Sequence, residues 1–385
     1  MSWPSEAWSS DSVGERAPSR AMRILFFGTY DERQHPRVQV LREGLVQRGH
    51  EIVECDAPLD LDTAARVRLV REPWRVGALA GRLGSRWWRL WSRARALPKP
   101  DAVLVPYMGH FDVHLAKRLW SDIPLALDYF ISGRDTAIDR GVTSSAILRV
   151  LDRIDRAALR ATDLPFVDTQ GHLERVPREH LARAVVVPIG APGNWFRRPR
   201  HRSPSPLRVV FYGSYTPLQG APIIGQMIRL LGPDLGKIRF TMIGRGQDLP
   251  VTRQAAGEDP DVTWIEWAEP EDLPGIVADH DVCLGIFGTG GKAGRVVPNK
   301  AYQGAAVGCA IVTSDTPPQR EALGGAALFV PPGDPAALAE ALRALAADPS
   351  RVWELRAAAY DRADRAFRPA VVVGALHDRL QQAHR

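Results

Sequence analysis

The chain begins one architecture twice. RILFFGTY, from Arg23 to Tyr30, and RVVFYGSY, from Arg208 to Tyr215, are both apolar strands ending in aromatic residue, glycine, hydroxyl residue and tyrosine, and both precede a helical pattern. Apolar runs of strand length follow each start: EIVEC, DAVLVPY, IPLALDY, LPFVDT and AVVVPIG in the first half, then RFTMIG, VTWIEW, DVCLGIF, CAIVTSD and AALFVP in the second. Amphipathic stretches such as Val38 to Arg48, Ala146 to Ala161 and AALAEALRALAAD lie between them. This alternation predicts α/β architecture with a parallel sheet in each half, that is, two Rossmann-like domains facing a cleft. At 385 residues, 45% of them hydrophobic, the chain can supply two cores.

Boundaries follow from composition. Residues 1–21 are rich in Ser, Glu and Trp and lack the apolar core of a signal peptide, so they read as a disordered tail, and Met22 offers a second start. The first domain is expected over 22–190, and the Pro-rich, basic stretch APGNWFRRPRHRSPSP over 191–206 is expected to link it to a second domain over 207–365. AVVVGALHDRLQQAH, within 366–385, is then a helix crossing back to the first domain, because the second sheet is complete before it.

Cys55, Cys283 and Cys309 lie far apart without pairing or metal-ligand spacing, which points to buried free thiols and a reducing cytoplasm. No run of 18 apolar residues is present, so no membrane-spanning helix is expected. The formal charge of +6 is unevenly spread: Arg66 to Lys99 holds ten basic residues and one acidic, Glu72, with Trp74, Trp87, Trp88 and Trp91 among them. A helix there places Leu83, Trp87, Leu90, Trp91 and Leu97 near one face, which suits either an anionic membrane surface or packing into the core. Nucleic acid is disfavoured, since no recognition motif accompanies the charge.

Neither half carries GxGxxG, and GxxxxGK[ST], HExxH and GxSxG are absent, which disfavours dinucleotide cofactors, P-loop chemistry, zinc proteolysis and a hydrolase elbow. A different pocket is legible from Asp281 to Glu321. There a glycine-rich basic loop, GTGGKAGRV, joins a buried strand to a helix opened by Pro298, and Lys292, Arg295 and Lys300 supply charge for a diphosphate.

From Met22 onward the ordered motifs resemble a GT-B glycosyltransferase of family 4. They are the glycine-bearing first strand with His35, Pro36 and Arg37; RGHEIVE; the VDT strand; VVVPIGAPGNWF; FYGSY; FTMIGRG; EDLPGIVADHDVCLGIF; and PNKAYQGAAVGCAIVTSDTPPQRE. The resemblance implies metal-independent, retaining transfer from a nucleotide-diphosphate sugar, which acts as co-substrate with no other cofactor, to an unidentified acceptor. It also implies that Gly213, Ser214 and Tyr215 hold pyrophosphate and that Gly244 and Arg245 form a second phosphate-binding corner. Gln219 stands where such enzymes have lysine, and Arg295 and Gln303 stand at the positions of a glutamate pair. Gln303 can still accept from ribose, while Arg295 implies either a replacement acceptor nearby or an acidic donor sugar. Asn299 and Lys300 remain donor contacts, with Lys300 and Arg245 offsetting charge in catalysis.

On the acceptor side the resemblance assigns His110 a place near the reacting sugar, with Gly28, Thr29, Arg37, Asp112, Asp128 and Asp135 around it. The polar run DYFISGRDTAIDRG also brings Ser132, Arg134, Asp139 and Arg140 to a strand end. A membrane-linked glycan or lipid, a soluble natural product, and a non-catalytic sugar-nucleotide binder are the functional readings that result.

Overall fold

The computed structural model describes residues 20–59, 76–200, 205–257 and 261–384. Most of the expected tail, the basic stretch through Arg66, Trp74 and Arg75, and residues 201–204 of the expected linker therefore lie outside the described residues.

Two six-stranded sheets form, every pairing parallel. The first contains β1 (Arg23–Gly28), β2 (Glu51–Asp56), β3 (Ala102–Val105), β4 (Leu125–Asp128), β5 (Leu164–Val167) and β6 (Val185–Val186) in the order β2-β1-β3-β4-β5-β6. The second contains β7 (Leu207–Tyr212), β8 (Ile238–Ile243), β9 (Val262–Ile265), β10 (Val282–Leu284), β11 (Ala310–Ser314) and β12 (Ala327–Val330) in the order β12-β11-β10-β7-β8-β9. All the sequence-predicted strands are present. AVVVPIG is ordered as a strand only over Val185–Val186, because it lies at the sheet edge and Pro188 and Gly190, at φ 69°, end its pairing.

The order reverses between β1 and β3 in the first sheet and between β10 and β7 in the second. Connections on opposite sides of such a point leave a crevice at the carboxyl ends of the strands. The continuous apolar runs follow from burial on both faces: residues of β3, β4, β5 and β11 are buried throughout.

The segment after Phe367 returns to the first domain. Val372, Val373, Leu376 and Leu380 join the core of Ile24, Phe26, Val40 and Leu41. A Cβ on Gly44 would lie 2.3 Å from the Pro369 carbonyl oxygen, so glycine is what allows the two backbones to meet.

The crossover is fixed by a buried histidine pair. His50 Nδ1 accepts from the Met22 backbone N–H at 3.2 Å, and His50 Nε2 lies 2.8 Å from His377 Nδ1. Burial, with a smaller contribution from His377, lowers His50 from the ordinary 6.5 to about 4. Because the folded-state value is depressed, the neutral ring's stability is complete above about 6.5 and is lost as pH falls towards 4. The shift predicts a loss on the order of 2–3 kcal/mol over that window. Melting curves of wild type and His50→Gln from pH 7 to 4 check this: the wild type should lose more stability, and parallel curves would sink the assignment.

Candidate functional site

The second sheet's switch point is built from two interlocked loops. After β7 the chain runs through Gly213, Ser214, Tyr215 and Thr216 into a short 3-10 turn, Pro217–Gln219, and Gly220 opens the helix Ala221–Leu231. Gly220 has φ 62°, and a Cβ there would lie 2.4 Å from Gly288 N in the loop after β10. The Phe287 N–H donates to the Gln219 carbonyl at 3.0 Å, locking the loops together. Gly244, at φ 120° after β8, brings the third loop in, since a Cβ would stand 2.0 Å from the Gly213 carbonyl oxygen.

Lys300 lies beneath this surface. It comes from the helix Asn299–Ala306, which begins after Pro298, and only 4% of the residue is exposed. Its Nζ donates to Gln219 Oε1 at 2.6 Å and sits 3.7 Å from the centre of the Phe211 ring. Burial pulls its ammonium down to about 7, and no carboxylate is among the groups that shift it. A desolvated cation held by an amide and an aromatic face is poised for an anion. Asn299 is half-buried at the start of the same helix.

Other expected donor residues are placed differently. Gln303 is 3% exposed and its amide oxygen accepts from Tyr212 Oη at 3.0 Å, because one helical turn after Lys300 it faces β7 rather than the cleft. Tyr215 is fully buried with φ 29°, so the loop presents its backbone and Ser214 rather than this ring. Arg245 is exposed at the end of β8, lying over the Trp267 ring at 5.2 Å.

Arg295 and Lys292 reach the other domain. Arg295 Nη2 lies 3.2 Å from Asp135 Oδ2, and Asp135 Oδ1 also accepts from Arg175 at 3.1 Å. Thr169 Oγ1 donates to the Arg295 carbonyl at 2.8 Å, and Lys292 Nζ donates to Thr136 Oγ1 at 3.1 Å. The basic loop thus bridges the domains. Burial lowers the Lys292 ammonium, opposed mainly by Asp139.

In the first domain the expected acceptor residues separate into two groups. Arg37 and Asp128 form a pair buried to 2% and 1% exposure, with Arg37 Nε 2.8 Å from Asp128 Oδ2 and Arg37 Nη1 donating to the Val187 and Pro188 carbonyls. Asp112 accepts from the Thr29 N–H and hydroxyl, each at 2.8 Å, and from Trp87 Nε1 at 2.8 Å. Gly28 permits that approach, as a Cβ would lie 3.1 Å from Asp112 Oδ2. Asp112, Asp128, the Thr29 hydroxyl and Arg37 through Nε and Nη1 are therefore engaged inside the fold, while Arg37 Nη2 is buried without a hydrogen-bond partner. His110 and Asp135 remain at the carboxyl end of the sheet.

The turn carrying His110 is strained: Tyr107 and Met108 have φ 34° and 54°, values that non-glycine residues rarely adopt. Backbone strain of this kind persists only where the surroundings enforce it. Here the Tyr107 N–H bonds to the Asp128 carboxylate and the Tyr107 ring stacks on His35 at 3.5 Å. Two participants escaped sequence reading, Asp155 beside His110 and His172, which pairs with Asp168 next to Thr169. Asp155 lies in an amphipathic helix where an aspartate reads as a solvated residue, whereas the hydroxyl-rich VDT strand end already marked Asp168.

The helix Val76–Ala94 uses its apolar face within the fold. Leu90 and Ala94 enter the core with Trp87 and Leu97 against them, so the core alternative holds for Trp87, Leu90 and Leu97, while Leu83 and Trp91 are not part of that core. Trp88 remains 66% exposed and stacks on Trp91 at 5.0 Å. Arg86, Trp88, Arg89 and Arg93 line a cavity of about 410 Å³ beside Asp56 and Pro58.

Residues 206–348, which carry Lys300 and the loops after β7, β8 and β10, match the family described as Glycosyl transferases group 1. Over that segment the chain is similar to group 1 glycosyl transferases. The chain as a whole has the two-domain GT-B arrangement. A sucrose-phosphate synthase from Thermosynechococcus elongatus is 15% identical, with 94% of this chain and 100% of that chain covered at a TM-score of 0.69. An alpha,alpha-trehalose-phosphate synthase (UDP-forming) from Burkholderia vietnamiensis is also 15% identical, with the same coverage and a TM-score of 0.64. HepE of Anabaena, solved in complex with UDP-glucose, is 13% identical, covering 91% of this chain and 97% of that one at a TM-score of 0.63. No curated protein matches the chain by sequence. Among the described residues no helix is long and apolar enough to cross a membrane.

Proposed function

We propose that the glycosyltransferase moves a sugar from a nucleoside diphosphate to an acceptor bound on the first domain, with retention and without a metal ion. The buried, carboxylate-free ammonium of Lys300 beneath the glycine turns at Gly213 and Gly220 carries this reading. The bond between the anomeric carbon and the diphosphate oxygen breaks, a bond from that carbon to an acceptor oxygen forms, and the acceptor proton passes to the leaving diphosphate. Lys300, Arg245 and the backbone N–H groups of Ser214 and Tyr215 offset the charge that grows on that leaving group, the Gly213 N–H being bonded to the Ile243 carbonyl. HepE's complex with UDP-glucose supports a nucleotide sugar as the ligand.

The acceptor is a membrane-linked glycan or lipid, met at the cytoplasmic face. Exposed Trp88 among Arg86, Arg89 and Arg93 supports this, and the three buried free cysteines suit a reducing compartment. A non-catalytic sugar-nucleotide binder is the second reading, favoured by Arg295 and Gln303 being engaged with protein groups.

Thermal shifts over nucleoside diphosphates and their sugars, followed by turnover assays with envelope extract, separate the two. A saturating donor at 100 times its Kd should stabilise the protein by about 2.7 kcal/mol. A donor that binds but is neither hydrolysed nor transferred would overturn the enzymatic reading.

A further inference from the structure

Asp155 projects from the helix Ser145–Ala161 into the junction of two loops. It is 4% exposed. Its Oδ2 accepts from Ser132 Oγ at 2.7 Å and from the Arg134 N–H at 3.3 Å, and its Oδ1 accepts from the Gly133 N–H at 3.0 Å. The same Oδ1 stands 3.3 Å from His110 Nε2. Burial pushes this carboxyl up, but His110, Ser132 and Gly133 outweigh it and hold the group below the usual range, so it is a carboxylate.

Two chains of contact leave this carboxylate. Ser132 Oγ accepts from the Asp135 N–H at 3.1 Å and caps the helix Gly133–Asp139, which carries Asp135 to Arg295 of the other domain. His110, on the strained turn after β3, has its Nε2 held only by the long 3.3 Å contact to Asp155 Oδ1, although the side chain is only 7% exposed. A buried ring nitrogen in that state can turn to a sugar hydroxyl at little cost.

We propose that Asp155 is a positioning residue for transfer: it fixes the His110 ring and the Ser132–Asp135 turn to one anchor, so that bridging of the domains and placement of the histidine occur together. This rests on the glycosyl-transfer reading above. A capping role alone needs only an oxygen acceptor, whereas holding His110 needs the negative charge, and Asp155→Asn separates the two.

The experiment compares wild type, Asp155→Asn, His110→Ala and the double variant. Asp155→Asn should lower kcat on the order of 100-fold while KM for the nucleotide sugar and the melting temperature change little, and the double variant should be no slower than His110→Ala. Losses that multiply, or a KM that rises in step with the fall in kcat, would overturn the proposal. Should Asp155→Asn fail to fold, Asp155→Glu, which moves the charge by one methylene, takes its place with the same expectations. Ring nitrogen NMR of His110 requires no turnover. Signals unmoved by the Asp155 substitution overturn the pairing, while signals that move in a protein transferring no sugar sink the glycosyl-transfer reading and leave the pairing standing.

Discussion

Lys300→Met is expected to lower transfer by about 10²–10³-fold, the usual cost of removing one preorganised charge-stabilising group, and at the same time to make the protein more stable. Burial brings this ammonium from its ordinary 10.5 down to about 7, so between those values the unfolded chain holds a proton that the folded chain gives up. The resulting destabilisation is absent above about 10.5, grows as pH falls, and is complete below about 7. At neutral pH a methionine of similar length escapes it and should raise the melting temperature by several degrees. Donor affinity in the wild type should weaken above pH 7 as Lys300 loses its charge. Calorimetry of both proteins with a turnover assay decides the matter: a variant that is active, or less stable than wild type, would remove Lys300 from the site.

Arg37→Met should cost about 3–5 kcal/mol of folding stability, because it strands Asp128 as an unpaired charge 1% exposed. Burial already pushes the Asp128 carboxyl up against the pull of Arg37. The loss should be partly reversed in Arg37→Met/Asp128→Asn, where no charge is left inside. Urea unfolding followed by tryptophan fluorescence reads the difference, and a single variant within 1 kcal/mol of wild type would show that the pair is not a keystone. Because the Tyr107 N–H also bonds to Asp128, the substitution should loosen the turn that presents His110.

The strands were legible because a sheet covered on both faces writes each one as a continuous apolar run, as in Val103 to Val105 or Ile311 to Thr313. The crossing helix was legible too, since the second sheet has its six strands before Phe367. Charged residues were harder to place, because a sequence shows a charge but not its partner. Arg37 and Asp128 stand 91 positions apart and Arg295 and Asp135 160 apart, so nothing local distinguishes a buried pair from cleft residues. Gln303 was read from its spacing to Arg295, yet its direction depends on the turn of a helix against β7. Only Lys300 had a local signal, an apolar, small-residue helix around a single cation.

The bridge from Arg295 and Lys292 across to Asp135, Thr136 and Thr169 separates how tightly a ligand is held from how often it is admitted. A molecule whose domains touch at rest offers its pocket only for the fraction of time the contacts are broken. Its apparent dissociation constant is the intrinsic one divided by that fraction, so a pocket open about 1% of the time binds about 100-fold more weakly than its own contacts would allow. On the proposed reading, the apparent affinity for any nucleotide is therefore set partly by Asp135, Thr136 and Thr169, which belong to the domain opposite the loops that would hold it, while the preference between nucleotides is untouched.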